Sequence, residues 1–219
     1  MTTDLFDDLP PDDGAAATQT LAPGAVLLRG FARRQAPALL EAIGRVTAGA
    51  PLRHLVTPGG FRMSVATSSC GALGWTSDAH GYRYTTHDPQ TGLRWPAMPP
   101  VFSELARDAA ACAGFAGFTP DACLINRYAP GTRLTLHQDR NERDFGAPIV
   151  SASLGVPAIF LFGGQRRSDP VQRLRLIHGD VVVWGDASRL NHHGVLPIKA
   201  AHHALLGDVR INLTFRRAG

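Results

Sequence analysis

The stretch LTLHQDRNERD, residues 134–144, sets His137 and Asp139 two apart in what reads as a strand. In extended backbone side chains alternate between faces, so the imidazole and the carboxylate project together while Gln138 points away. Such a pair can be a hydrogen-bonded acid–base dyad, two thirds of a metal site, or an ordinary polar strand end. A catalytic metal needs ligands on rigid elements and an open position for substrate. The later segment SRLNHHGVLP offers His192 and His193 at a turn into the next element. His-x-Asp followed by a distant histidine is the order of the two-histidine, one-carboxylate facial triad that holds non-haem Fe(II). His-x-Asp alone arises often by chance, and the spacing by itself leaves the three readings open.

A second segment bears on the choice. In RINLTFR, alternation places Arg210, Asn212, Thr214 and Arg216 on one face and Ile211, Leu213 and Phe215 on the other. If the cationic face lines an interior, its arginines need anionic partners, because an unpaired buried charge is strongly destabilising. A small dicarboxylate beside the metal would satisfy them. The alternative is an outer strand with its arginines in water. In LINRY the same alternation groups Leu124, Asn126 and Tyr128, an amide and a phenol able to bond a carboxylate.

These side chains need a scaffold, and 219 residues suit one domain with a sizeable core. Residues 1–21 lack an apolar pattern and are expected to form a flexible acidic tail, followed by a single domain over 22–219. RRQAPALLEAIGRVTAG and PPVFSELARDAAACAGF have the three-to-four spacing of helices. Between them, residues 51–98 carry aromatics, glycines and turn signals and read as a hairpin-rich excursion. From ACLINRYAP onward come short strand candidates: LTLHQD, IVSASLG, AIFLFGG, LRLIHG, DVVVWGD, HHALLGD and RINLTFR. Their Gly, Pro and Asp punctuation predicts a mainly β fold with flanking helices, a Greek-key or jelly-roll barrel.

Composition narrows the partners. No window approaches the ~18 apolar residues of a membrane span, and the N-terminus has neither the basic region nor the apolar core of a secretory signal. Cys70, Cys112 and Cys123 are odd in number and widely spaced, which suits a soluble protein of the reducing cytoplasm. The formal charge is +4, but five acids and no base lie in residues 1–13, leaving +9 for residues 14–219. The cations are 21 arginines and one lysine, Lys199. Arginine's planar fork suits phosphate and carboxylate, so the excess reflects either genomic base composition or a polyanionic partner such as nucleic acid.

The segments INRYAPG, LHQD, APIVSASLG, PAIFLFGG, HGDVVVWG, SRL, HHG and RINLTFR, in this order and spacing, resemble the AlkB family of Fe(II)/2-oxoglutarate dioxygenases in its bacterial branch, over about residues 60–218. The resemblance implies a double-stranded β-helix (jelly-roll) core. It implies iron held by His137, Asp139 and His193, with His192 just outside the triad. It also implies 2-oxoglutarate held by Arg210, Asn212 and Tyr128 at its distal carboxylate and by Asn126 and Arg216 elsewhere. The reaction so implied consumes 2-oxoglutarate and O2, gives succinate and CO2, and removes N-methyl groups from bases such as 1-methyladenine or 3-methylcytosine as formaldehyde.

By the same resemblance, Trp75 and the ring of His137 sandwich an extruded base. Tyr82, Arg83, Tyr84 and Arg167 would be further substrate contacts. At Asn141 the bacterial relatives usually carry an acid; an amide brings no charge, so preference for cationic lesions is not implied. Alkylated DNA, preferably single-stranded, is the expected partner, with RNA as a rival, no membrane, and a monomeric state. Two other readings stay open: the same oxygenation on methylated RNA or a non-nucleic-acid substrate, and a non-catalytic jelly roll whose basic face binds nucleic acid. The acidic residues 1–13 could cover that face or simply solubilise the chain.

Overall fold

Alternation of apolar side chains builds two cores that share one sheet. The structure is a computed structural model and describes residues 17–219. The strands are β1 (Thr18–Ala22), β2 (Ala25–Leu28), β3 (Ala66–Gly71), β4 (Gly74–Asp78), β5 (Gly81–Thr85), β6 (Ala122–Tyr128), β7 (Leu134–His137), β8 (Ile149–Gly155), β9 (Ala158–Phe162), β10 (Gln172–Leu176), β11 (Val181–Trp184), β12 (His193–Val195) and β13 (Arg210–Arg216). The larger sheet runs β1-β2-β11-β8-β13-β6-β3 and the smaller β10-β9-β12-β7, with every strand pair antiparallel. A separate hairpin pairs β4 with β5. This is the expected jelly roll, a mainly β fold with flanking helices.

Two helices, α1 (Ala36–Gly49) and α2 (Pro100–Cys112), cover the outer face of the larger sheet. Each buries one stripe: Leu39, Ala42, Ile43 and Val46 in α1, and Phe102, Leu105, Ala106 and Ala109 in α2. Against them pack Cys123 and Ile125 of β6, Val150, Ala152 and Leu154 of β8, and Ile211, Leu213 and Phe215 of β13. The opposite face of the same strands meets the smaller sheet, where Ile149, Val182 and Trp184 pack against Phe160, Phe162 and Val195. The strand β13 is buried along its whole length because one face lies under the helices and the other faces the interior between the sheets.

Several expectations need correction. Ordered chain begins before residue 22, since β1 lies partly within the stretch assigned to the tail. Its residues Thr18, Gln19 and Thr20 are exposed, so no apolar alternation announced it. The acidic run 1–13 lies outside the described residues. HHALLGD forms no strand but a turn closed by an isolated bridge between His203 and Gly207. Within 51–98, one segment, β3, belongs to the larger sheet rather than to a hairpin. Among the described residues no helix is long and apolar enough to cross a membrane.

Candidate active site

His137 ends β7 and His193 begins β12, and the two residues face each other in the register of that pair. The pairing carries a bulge: two steps along β12, from His193 to Val195, match three along β7, from His137 to Leu134. Close approach depends on Gly194, where a Cβ would sit 2.7 Å from the Leu134 carbonyl oxygen and 3.1 Å from the Leu136 nitrogen. Asp139 follows β7 by two residues. The ring centroids of the two histidines are 4.3 Å apart. Asp139 Oδ1 lies 3.6 Å from His137 Nε2, and its Oδ2 lies 3.8 Å from His193 Nε2.

The donor set fits a divalent metal. The three ligand atoms lie within 4.8 Å of one another, and bonds of about 2 Å to a central ion need only a small contraction. His137 Nδ1 meets the Thr135 carbonyl oxygen at 2.9 Å, and His193 Nδ1 meets that of Asn191 at 3.1 Å. A carbonyl can only accept, so each Nδ1 carries the proton and each Nε2 presents its lone pair to the shared space. Burial, then the neighbouring His137, push the His193 pKa down to about 3, which keeps this ligand neutral. Burial alone would raise the Asp139 pKa, but the charge of Arg216 and its hydrogen bonds hold it well below the usual carboxylate range.

A cavity of about 780 Å³ joins this cluster to the cationic face of β13. At its inner end Arg210 is 2% exposed. Its Nη2 donates to Ser153 Oγ at 3.0 Å and its Cζ lies 4.8 Å from the centre of the Tyr128 ring, yet its Nε and Nη1 have no partner. A buried guanidinium edge with two free N–H directions, facing a cavity that also holds three metal-ligand atoms, fits the carboxylate of a small diacid. Asn126, Tyr128, Asn212, Thr214 and Arg216 line the same space, so the polar faces expected of β6 and β13 do turn inward. Asn212 donates to Ser151 Oγ at 2.8 Å and to the Ala152 carbonyl at 3.0 Å, and accepts from Thr214 Oγ1 at 2.8 Å. Arg216 is not free. Its Nη2 and Nε donate to Asp139 Oδ2 at 2.6 and 2.9 Å.

At the outer end the hairpin β4–β5 brings aromatics to the mouth. Trp75 and Tyr82 stack with centroids 5.7 Å apart and planes 13° from parallel. Asn141 accepts from Trp75 Nε1 at 3.3 Å and donates to the Tyr82 carbonyl at 3.4 Å. Tyr84 also lines the cavity, as do Phe61, Arg62 and Arg133 at its rim. Two expected contacts lie elsewhere. Arg83 makes a two-pronged pair with Asp78, 2.7 Å on each side, and Arg167 donates to the Leu136 carbonyl at 2.7 Å; neither lines the cavity. His192 contacts the Gly164 carbonyl at 3.3 Å, outside the triad.

Four further side chains take part in the site. Ser151 and Ser153 support Asn212 and Arg210, and alternation in IVSASLG did place both on one face. Glu142, which directly follows Asn141, is buried among Tyr84, Arg189 and Arg216. Arg189 is buried without any signal in the sequence, because in a turn segment no periodicity marks a side chain as buried.

The 2OG-Fe(II) oxygenase superfamily model matches residues 24–216. The alpha-ketoglutarate-dependent dioxygenase AlkB of Salmonella typhimurium is 60% identical over 206 residues, covering 94% of this chain and 95% of that one. The protein of the same name from Escherichia coli K12 is 56% identical over 216 residues, covering 99% and 98%. Among solved structures, that of OsALKBH1 superposes with a TM-score of 0.79 at 30% identity, over 92% of this chain and all of that one.

Proposed function

The chain belongs to the 2OG-Fe(II) oxygenase superfamily and, within it, to the AlkB family of Fe(II)/2-oxoglutarate dioxygenases, and on that premise we propose that it repairs DNA by oxidative removal of N-alkyl groups from bases. The observation that carries this reading is the pairing, in one cavity, of a two-histidine, one-carboxylate cluster with a buried arginine whose Nε and Nη1 are unpartnered. Iron(II), 2-oxoglutarate and O2 together supply the oxidation of the N-methyl carbon, with succinate and CO2 formed from the cosubstrate and formaldehyde leaving the base.

The chain's own groups bind and orient. His137, Asp139 and His193 hold the metal, their Nε2 and carboxylate atoms directed by the Thr135 and Asn191 carbonyls and by Arg216. Arg210 receives the distal carboxylate of 2-oxoglutarate, backed by Ser153 and the Tyr128 ring. Asn126, Tyr128 and Asn212 complete the polar wall. The rings of Phe160 and Trp184, centred 6.0 and 4.9 Å from His193, keep water from its side of the cluster. Trp75 offers a face to an extruded base, with Tyr82, Tyr84 and Asn141 beside it, while Arg83 and Arg167 contribute only by exchanging their present partners for phosphate.

A single strand is the preferred form, since extrusion from a duplex costs unpairing as well as unstacking. The arginine-rich body of +9 favours a polyanion over a small neutral substrate. Asn141 leaves the outer end of the cavity without a free carboxylate, so recognition of 1-methyladenine or 3-methylcytosine relies on stacking and hydrogen bonds rather than charge. The protein acts as a monomer in a reducing cytoplasm, where Cys70, Cys112 and Cys123 persist as the free thiols seen here.

The test supplies iron, ascorbate, 2-oxoglutarate and an oligonucleotide bearing 3-methylcytosine. Formaldehyde and succinate should appear in equal amounts, and an RNA of the same sequence should compete weakly. Succinate formation indifferent to the methyl group would defeat the repair reading, and a strong RNA preference would redirect it to RNA.

A further inference from the structure

Glu142 lies three residues beyond Asp139, between the exposed residues Asn141 and Arg143, yet its side chain is only 2% exposed. Its two oxygens serve three elements. Oε1 accepts from the Tyr84 hydroxyl of β5 at 2.7 Å and lies 3.3 Å from Arg216 Nε of β13. Oε2 accepts from Arg189 Nη2 at 3.2 Å. Each partner leads to a different part of the site. Tyr84 sits opposite Trp75 in the β4–β5 register. Arg216 grips Asp139 Oδ2. Arg189 lies in the turn that precedes His193 and donates to the Asp139 backbone carbonyl at 3.1 Å.

Burying a carboxylate is costly unless every charge near it is paired, and removing one partner strands the rest. Glu142 and Asp139 between them balance Arg189 and Arg216. Without the Glu142 charge, both guanidinium groups would turn their attraction on Asp139, drawing it off the line to a metal. Without the Glu142 acceptor, the Tyr84 hydroxyl would lose its bond, and the longer Asn141 contacts would be left to tie the hairpin to the loop that follows Asp139.

Resting on the functional reading above, we propose that Glu142 is a positioning residue, one buried carboxylate that fastens the base-recognition hairpin to the metal-ligating Asp139 through Tyr84 on one side and Arg216 with Arg189 on the other. Hairpin and metal site therefore move as one body, and nucleic acid seated on Trp75 is registered to the ion through Glu142.

Two full-length variants separate the arms. In Y84F the link to the hairpin is cut while the ion network stays, so amide exchange over residues 74–85 should rise about tenfold and Mn(II) affinity should stay within twofold of the wild type. In E142Q the charge is lost while the amide oxygen can still accept from the Tyr84 hydroxyl, so Mn(II) affinity should fall by roughly 10-fold or more, the size seen for partners of metal ligands, with hairpin exchange raised less than in Y84F. A purely structural role predicts lower melting temperatures with Mn(II) affinity and hairpin exchange at wild-type values, and that result would overturn the proposal. Should E142Q fail to fold, unchanged hairpin exchange in Y84F would still overturn it. Absence of formaldehyde release by the wild type would defeat the repair reading alone, because exchange and Mn(II) binding are measured without nucleic acid.

Discussion

Replacing Arg210 with methionine should move stability and cosubstrate binding in opposite directions. Arg210 is 2% exposed, and two of its three guanidinium nitrogens have no partner. A buried charge so poorly satisfied costs several kcal/mol before any ligand arrives. Against that stand one bond to Ser153 and the contact with the Tyr128 ring, together about 2–3 kcal/mol. The ligand-free R210M variant should thus match the wild type in melting temperature or exceed it. With 2-oxoglutarate the order reverses. Two charge-assisted bonds to a carboxylate contribute about 1.5–3 kcal/mol each, so their loss should raise KM for 2-oxoglutarate on the order of 100-fold or more. Wild-type protein with Mn(II) and 2-oxoglutarate at 100 times its Kd should gain about 2.7 kcal/mol of stability, and R210M almost none. The assay is thermal denaturation with and without 2-oxoglutarate, beside steady-state kinetics. An R210M protein that keeps the ligand-dependent gain, or a KM within threefold of wild type, would remove Arg210 from the cosubstrate site.

Asp139→Ala should abolish turnover while nucleic-acid affinity changes less than about threefold, read by fluorescence anisotropy at fixed salt, because the oxygenation requires the metal and the phosphate contacts do not. Gly194→Ala should push β12 from β7 at the Leu134 carbonyl, costing about 1–3 kcal/mol in denaturant unfolding and weakening Mn(II) binding, since His193 and His137 face each other beside it. The pKa of His178 is lowered by burial first and then by His203 and Arg33, and its Nδ1 accepts from the Gly155 amide at 3.1 Å. Its folded value lies below its unfolded one, so the unfolded chain binds the extra proton first. Stability from this residue is complete above about pH 6.5 and falls as pH drops below it. Unfolding midpoints between pH 5 and 8 should show a weaker acid-side loss in H178Q than in the wild type.

What the sequence disclosed depended on whether a segment's two faces meet different environments. IVSASLG and RINLTFR match their strands to the residue because helices cover one face and the interior between the sheets the other, so apolar and polar positions alternate through RINLTFR and from Val150 to Leu154. The same rule failed just past β7. Pairing stops at His137 because β12 is only three residues long, and beyond that point alternation no longer says where a side chain goes. Continued alternation would put Glu142 on the Gln138 face, away from the triad, whereas the loop turns its carboxylate into the interior. β3, ATSSCG, offers neither branched aliphatics nor aromatics, and its six residues join the larger sheet through pairing with β6. HHALLGD shows the reverse error: a short apolar run beside Gly207, whose φ of +62° closes a turn rather than continuing a strand.

The buried charges also explain why metal and cosubstrate belong together. Arg189, Arg210 and Arg216 face Asp139 and Glu142, while burial keeps His193 neutral, so the ligand-free interior carries one positive charge in excess, localised on Arg210. A divalent ion alone would deepen that excess, and a dianion alone would overshoot it. Taken together, a 2+ ion and a 2− diacid leave the balance as it was while giving Arg210 the partner it lacks. In a low-dielectric cavity, where like charges repel far more than in water, each of the two therefore lowers the cost of admitting the other. The inward cationic face of β13 is what makes that coupling possible: turned to solvent, the same arginines would be screened and indifferent to what the triad holds.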